Sequence, residues 1–322
     1  MRKRGIVKRR EVDLRNKLSE GITVNEALEI VMRIYESEGY RERTVRDYRK
    51  FWAQFTDIIK REYIEKVTTE DIRKYVHHLL HTRDLSAVTV NIRLSAVRAI
   101  FNRLYSEEII EVNPVEKVRK LRTDQQRIFT LTDDQIRRLF AMIDKDTFTG
   151  YRDYCAFLLA LKCGLRSNEL HSLETKDVDL DNGVILLPGA KNKNRKTRMV
   201  PMSKKVAQEL AQLIAETREY FGSQVTHVFT NQFGEPMKHE LLRKRVDSYA
   251  RKAGLKGECR ASLHSLRHTF ATNFLKNGGN IRTLMSILGH SDLSTTQIYL
   301  NYTDEQVVEQ YREVSEKDTL DV

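Results

Sequence analysis

The chain has 322 residues, too many for one core of ordinary size, so two domains are expected. Apolar residues at 40%, charged residues at 31% and only 4 Pro and 14 Gly exclude a disordered chain and a turn-rich all-β fold. The net charge of +11 favours a polyanionic partner, with nucleic acid first, although general solubility accounts for charge alone equally well.

Cys155, Cys163 and Cys259 form no CxxC and no paired framework, which fits a reducing cytosol and gives no metal signature. No apolar run approaches the ~18 residues of a spanning helix, so no membrane partner is expected. The opening MRKRGIVKRR lacks an apolar core behind its charges and is not a secretory signal. Residues 1–21 therefore read as a basic flexible arm, and a cytoplasmic, nucleoid-associated location is expected.

Residues 22–118 read as a helical domain. Ala27, Leu28, Ile30, Val31 and Ile34 recur at helical spacing, as do Val45, Tyr48, Phe51, Trp52 and Phe55. Further helices are predicted over Asp71–His81 and Val88–Tyr105, and Asn113-Pro114 closes the bundle. Residues 119–129 are polar and aperiodic, as a linker would be.

A second unit, residues 130–302, opens at LTDDQIRRLF, where Thr132 can cap a helix with Gln135 as its capping-box partner. A helix over Asp153–Leu161 stops near Gly164. Short strands are predicted at Val178–Leu180, Val184–Leu187 and Arg198–Val200, with a turn at residues 181–183 and a basic hairpin tip at KNKNRKTR. Helices resume at about 203–219, 238–253, 266–277 and 281–288. Gly289 suits a left-handed helix stop, and His290 follows it. Ser294 is expected to start another helix, with Gln297 completing a capping box and Tyr299 in its second turn. The predicted fold is mainly α with a small antiparallel β-sheet: a helical domain followed by a mixed α/β domain.

Four fragments carry chemistry in combination. CGLRSNEL sets Arg166 after a glycine break, with Glu169 three residues on. KNKNRKTR is a solvated loop or a phosphate contact. HSLRHTF places His264 and Arg267 on one helical face. LGHSDLSTTQIY brings His290 and Tyr299. Each alone has an ordinary explanation in surface charge or packing. Together they suit phosphoryl transfer without a metal. Two guanidiniums can grip the non-bridging oxygens of a phosphorane-like transition state. A tyrosine with pKa about 10 is ionised in roughly one molecule per thousand at neutral pH, so it needs a base and a positive field. A lysine on the hairpin can protonate the departing oxygen. No acidic cluster suggests a metal cofactor, and none is expected.

The motifs GLRSNEL (164–170), HSLRHTFAT (264–272) and LGHSDLSTTQIY (288–299), in this order and with nine residues from His290 to Tyr299, resemble those of the tyrosine recombinases, the phage integrases and Xer-type enzymes. The resemblance runs from about Val24 to Tyr299. It implies a core-binding SAM-like domain at 22–118 and a catalytic domain at 130–302. It further implies that Arg166 and Arg267 bind the scissile phosphate, that His264 assists proton movement near the nucleophile, and that His290 donates a hydrogen bond to the phosphate. Tyr299 would attack, forming a 3′-phosphotyrosine and releasing a 5′-hydroxyl. Lys193 matches the general-acid lysine, with Lys191 as the alternative, and Glu169 would orient the basic groups from behind.

The implied partner is double-stranded DNA at specific sites. Arg43, Thr44, Arg46 and Arg49 on one helix, Thr89, Asn91 and Arg93 on another, and Arg243, Lys244 and Arg245 in the catalytic domain are the expected contacts, most of them to phosphate. The segment 303–322 is expected to form a tail helix that docks on a neighbouring protomer within a homo-tetramer. An accessory directionality factor would be compatible with this scheme. The first functional expectation is a site-specific recombinase acting as integrase of a mobile element. The alternatives are a Xer-type chromosome or plasmid dimer resolvase, a type IB topoisomerase-like enzyme, and a catalytically silent DNA-binding regulator.

Overall fold

The computed structural model describes residues 21–123, 129–189, 196–290 and 292–299. It divides into two compact units at residues 125 and 126.

The first unit is built from α1 (Val24–Ser37), α2 (Glu42–Ile59), α3 (Thr69–His77) and α4 (Ala87–Ser106). Thr23 with Glu26 and Thr68 with Asp71 form capping boxes that fix where α1 and α3 begin. The core is aromatic at its centre. The Phe55 ring lies 5.3 Å from Trp52, 5.2 Å from Tyr75 and 5.8 Å from Phe101. The Trp52 indole N–H donates to the Val24 carbonyl at 2.9 Å, so the one polar edge of this large buried ring is satisfied. The helix expected over Asp71–His81 is present, but its last turn, His78–Thr82, is a π turn. The expected linker begins later than the composition suggests. The Asn91 amide brackets Leu121, accepting from its N–H at 2.8 Å and donating to its carbonyl at 2.9 Å. Leu121 also packs on the first unit's core.

The second unit contains α5 (Asp133–Ala141), α6 (Phe148–Lys162) and α7 (Ser167–His171). An antiparallel sheet ordered β1-β2-β3 follows, with β1 at Val178–Asp179, β2 at Val184–Leu187 and β3 at Arg198–Pro201. It continues with α8 (Lys204–Phe221), α9 (His239–Lys252), α10 (Leu263–Lys276), α11 (Ile281–Leu288) and α12 (Ser294–Gln297). The Thr132–Gln135 capping box forms as the sequence suggests. Helix α6 is buried nearly all round, from Cys155 to Leu161, and packs between α10 and α8 as the spine of the unit. In β2, Ile185 and Leu187 face the core and Leu186 faces out, the alternation of a half-buried strand.

The end of this unit differs from expectation. Helix α12 is only four residues long, and its N-cap is Leu293 without a side-chain cap, one residue before the expected Ser294. Tyr299 lies in a turn beyond the helix, where its N–H bonds the Thr296 carbonyl at 3.0 Å. The tertiary contact made by Thr296 anchors this turn: its hydroxyl is buried against His290 at 2.9 Å. The hairpin tip with Lys191 and Lys193, the arm and the tail lie outside the described residues. Among the described residues no helix is long and apolar enough to cross a membrane.

Candidate active site

The site forms where three chain reversals meet. The first is the break after α6. Gly164 sits at φ +68, and a Cβ there would lie 2.5 Å from Phe270 and 2.9 Å from Leu288, so only glycine fits this conformation and this close approach. Arg166 follows at the entry to α7. The second reversal is Gly289, in the left-handed region at φ 64, which stops α11 and presents His290. The third is the short α12 with its turn, which carries Tyr299. Helix α10 supplies His264, Arg267 and His268 from one side.

Arg267 is 3% exposed and is anchored by backbone. Its guanidinium donates to the carbonyl of Gly164, in the break after α6, and to that of Leu288, an orphan acceptor at the end of α11. Burial pushes this guanidinium down to about 9, helped by the charges of Arg166 and Arg198, so it remains a cation at neutral pH. Arg166 is more open, with its side chain 27% exposed. It donates to Glu169 Oε1 at 3.0 Å and to the Gly289 carbonyl at 3.3 Å.

Glu169 is the hub. It is 1% exposed and accepts from the Arg166 backbone N–H at 2.7 Å. It is also gripped by both terminal nitrogens of Arg198 at 2.9 and 2.7 Å. Burial alone would raise its carboxyl. The Arg198 hydrogen bonds and the charges of Arg198 and Arg166 outweigh burial and hold it below the usual carboxylate range. Arg198 was legible in the sequence only as a strand residue. It is buried, and its Nε donates to the Ile287 carbonyl at 2.8 Å, which ties β3 to the end of α11. Three guanidiniums (Arg166, Arg198, Arg267) facing one carboxylate leave 3 − 1 = +2 at the cluster. That residual charge faces the open edge held by Arg166 and suits an incoming phosphate dianion or diester.

His290 receives a hydrogen bond from Arg267 at Nε2, 3.2 Å away, and lies 2.9 Å from Thr296 Oγ1 through Nδ1. Since a guanidinium only donates, Nε2 is the acceptor and the proton of the neutral ring is on Nδ1. Burial and the charges of Arg267 and Arg166 lower this imidazole to about 4. Tyr299 is half-buried on Ala271, Leu275, Leu284 and Leu288. Burial raises its phenol, against the lowering charges of Arg267 and Arg166. Its oxygen lies 2.6 Å from Nδ1 of His268. The histidine in contact with the phenol is therefore His268, not the His264 of the sequence expectation. His264 is exposed and meets the His268 ring edge-on at 4.1 Å between centroids.

The expected DNA contacts divide when placed. Arg43 and Lys244 are exposed. Arg46 is exposed beside Glu42 and Arg243 beside Glu240. Thr44 is partly exposed, Thr89 pairs with the Ser86 hydroxyl at 2.9 Å, and Arg93 lies 5.9 Å over the Phe51 ring. Three others are already engaged within the protein. Arg49 is held by Glu29 and Glu36. Both polar atoms of the Asn91 amide are engaged by Leu121. Arg245 bonds Asp153 and the Tyr249 hydroxyl, inside a buried network with Arg152. Helical spacing puts these side chains on the predicted face but does not reveal the carboxylate or backbone partner that approaches from another segment.

This geometry can be set beside known proteins. The model of the phage integrase family matches residues 130–306, and that of the phage integrase N-terminal SAM-like domain matches residues 28–111. The chain belongs to the phage integrase family. Among its relatives is the tyrosine recombinase XerC of Thermodesulfovibrio yellowstonii, 31% identical over 279 residues, which are 85% of this chain and 90% of the relative. The XerC of Chlamydia caviae is 31% identical over 72% of this chain and 73% of its own length. The fold is shared with the Tn1549 transposon integrase solved with a circular intermediate DNA, at TM-score 0.71 and 21% identity over 91% of this chain and 100% of that one. It is also shared with a lambda integrase solved as a tetramer on a Holliday junction, at TM-score 0.69 and 17% identity over 89% of this chain and 83% of that one. The protein is a tyrosine recombinase, an enzyme of DNA recombination.

Proposed function

We propose that this recombinase is a Xer-type site-specific enzyme that exchanges strands between paired DNA sites through a 3′-phosphotyrosine formed by Tyr299. The observation that carries the reading is that the Tyr299 phenol lies in the positive field of Arg267 and Arg166, with a neutral imidazole at its oxygen. Arg166, the open guanidinium, grips the scissile phosphate. Arg267 acts from behind as a fixed charge, and Glu169, itself held by Arg198, bridges the two. Lys193 on the hairpin protonates the leaving 5′ oxygen. The similarity to XerC over most of both chains favours dimer resolution over integration of a mobile element, because the integrase structures share the fold at lower identity. The DNA, by the same reading, is a duplex held by the exposed arginines of α2 and by Arg243 and Lys244 of α9. The working assembly is a tetramer on two sites, with segment 303–322 docking between protomers and the protein acting in the cytoplasm on chromosomal or plasmid DNA.

The test starts from duplexes that the full chain selects from a randomised pool. A selected duplex nicked beside its cleavage point should trap a covalent protein–DNA adduct in the presence of EDTA. The Tyr299→Phe protein should bind the same duplex and trap nothing. Adducts that persist in Tyr299→Phe would move the nucleophile elsewhere, and adducts that form only with added divalent cation would overturn the guanidinium mechanism. Exchange between two such duplexes, against relaxation of a supercoiled circle alone, separates a recombinase from a topoisomerase-like activity.

A further inference from the structure

Once Tyr299 is taken as the nucleophile, its attack requires a group to receive the phenolic proton, and the family motifs leave that group to His264. The structure brings a different side chain to the oxygen. We propose that His268 is the catalytic base of strand cleavage, taking the proton of Tyr299 through Nδ1 and returning it on religation. This rests on the reading of Tyr299 as nucleophile.

The geometry is direct. Nδ1 of His268 is 2.6 Å from the phenol oxygen, within the range of a strong O–H donor meeting a ring nitrogen. The rings sit 5.4 Å apart and tilted by 54°, so the phenol oxygen meets the imidazole at its edge. Helix α10 fixes the base. His268 follows Arg267, whose guanidinium is bound to two backbone carbonyls, and precedes Thr269, which is buried and bonds both the Ser265 carbonyl and the Leu131 N–H. A side chain between two such anchors has little freedom to wander from the turn that carries Tyr299. His264, one helical turn earlier, touches His268 and not the phenol.

The charged and titratable groups that face His268 are His264 and Arg267 on α10, His290 beyond α11, and Tyr299 itself. Burial and the two α10 neighbours lower the His268 imidazole to about 4, so it is neutral at physiological pH and free to accept. The phenol is raised by burial, so transfer before attack is unfavourable. The proton therefore moves as the new bond forms. The Oη–H bond breaks toward Nδ1 while Oη–P forms and P–O5′ breaks. The 5′ oxygen takes a proton from the general acid. A phosphodiester bound at the cluster brings negative charge, which favours the imidazolium while it lasts. In religation the 5′-hydroxyl attacks phosphorus and gives its proton back to the group that acted as general acid, while the P–Oη bond breaks and the departing phenolate recovers its proton from His268. A neutral ring kept next to the nucleophile by a cationic environment is what such a reversible step needs.

The assay is adduct formation by the full-length chain on the selected, nicked duplex, comparing wild type, Tyr299→Phe, His268→Ala and His268→Asn. The asparagine oxygen can accept the phenol hydrogen bond near the position of Nδ1 but cannot take the proton. Both His268 variants should bind DNA as the wild type does and lose about 10²–10⁴-fold in cleavage, the usual contribution of a positioned base. Their deficit should shrink about tenfold per pH unit as the phenolate population grows. A 5′-bridging phosphorothiolate, whose sulfur leaves unprotonated, should not restore them, because it relieves a missing acid and not a missing base. Cleavage by His268→Asn within about threefold of wild type would overturn the proposal, as would a parallel pH profile or full recovery on the phosphorothiolate. Absence of adducts in the wild type would instead overturn the reading of Tyr299 itself.

Discussion

Replacing Glu169 by glutamine tests how the cationic cluster is held. The carboxylate is 1% exposed and accepts four hydrogen bonds, from the Arg166 backbone and guanidinium and from two nitrogens of Arg198, with Arg267 4.0 Å away. Glutamine keeps one acceptor oxygen and turns an NH₂ donor toward a guanidinium that can only donate. It also removes the single negative charge among three buried or half-buried cations. Breaking a buried pair from one side costs about 3–5 kcal/mol. For a unit of this size each kcal/mol lowers Tm by about 2–4 °C, so the transition of the catalytic unit should fall by about 6–20 °C. The acid limb carries a second signature. The folded-state pKa of Glu169 lies below its unfolded value, so its contribution is fully present above the unfolded carboxylate range and is lost as pH falls through the folded pKa. Wild type should therefore lose more stability than Glu169→Gln on acidification through that window, and the two melting curves should converge. Thermal unfolding followed by circular dichroism at stepped pH measures both effects. A shift smaller than about 1 kcal/mol at neutral pH, or identical acid sensitivity in the two proteins, would mean that the arginines are positioned by their backbone carbonyls alone.

Arg166→Ala and Arg267→Ala should each cut cleavage by about 10³-fold or more, as losses of arginines that stabilise a transferring phosphoryl group do. They should differ in stability: Arg267 is buried on two carbonyls while Arg166 is partly open, so only Arg267→Ala should lower Tm markedly, and equal melting points would contradict the assignment of anchor and gripping arginine. Asn91→Ala removes both partners of the Leu121 backbone and should destabilise the first unit by about 1–3 kcal/mol in urea unfolding. Its non-specific DNA affinity should be unchanged, and a loss of affinity at unchanged stability would restore Asn91 to the DNA face. Binding of the selected duplex should weaken steeply with salt as phosphate contacts release counterions, and a flat response in a gel-shift titration would sink the duplex-holding role of α2 and α9.

Most of the fold was legible in the sequence because its helices are marked by their own side chains. Thr132 with Gln135 predicted a cap that the structure contains, and Gly289 predicted the left-handed stop after α11. These signals are local, and tertiary packing agrees with them. Where a long-range contact competes, the local reading fails. Ser294 and Gln297 have capping-box spacing, yet Thr296 turns its hydroxyl to His290 and the helix ends before Tyr299. Leu121 looks like linker by composition, yet the distant Asn91 amide and the apolar core of the first unit tie it to the bundle.

The site follows the same division. Arg166, His290 and Tyr299 can be read because each follows or faces a chain reversal that glycine or helix spacing announces. Arg198 could not be read that way. A single arginine opening a strand carries no mark of the buried carboxylate it will meet, and the only available signal was its position on a strand whose neighbour in alternation, Val200, is buried. His268 was hidden for the opposite reason. It lies inside the most recognisable motif of the chain, one residue after Arg267 and four after His264, so both the helical face and the motif drew attention to its neighbours. On α10, residues four apart share a face, and the rings of His264 and His268 do meet, edge to face. Which of the two reaches a phenol on another segment depends on how far the turn after α12 comes back across α10. That distance is set by the Thr296–His290 contact and by the packing of Tyr299 on Leu284 and Leu288. The proton acceptor of this enzyme is thus selected by a turn that the sequence misreads as helix, and lengthening α12 by restoring its missing cap would be expected to draw Tyr299 away from His268.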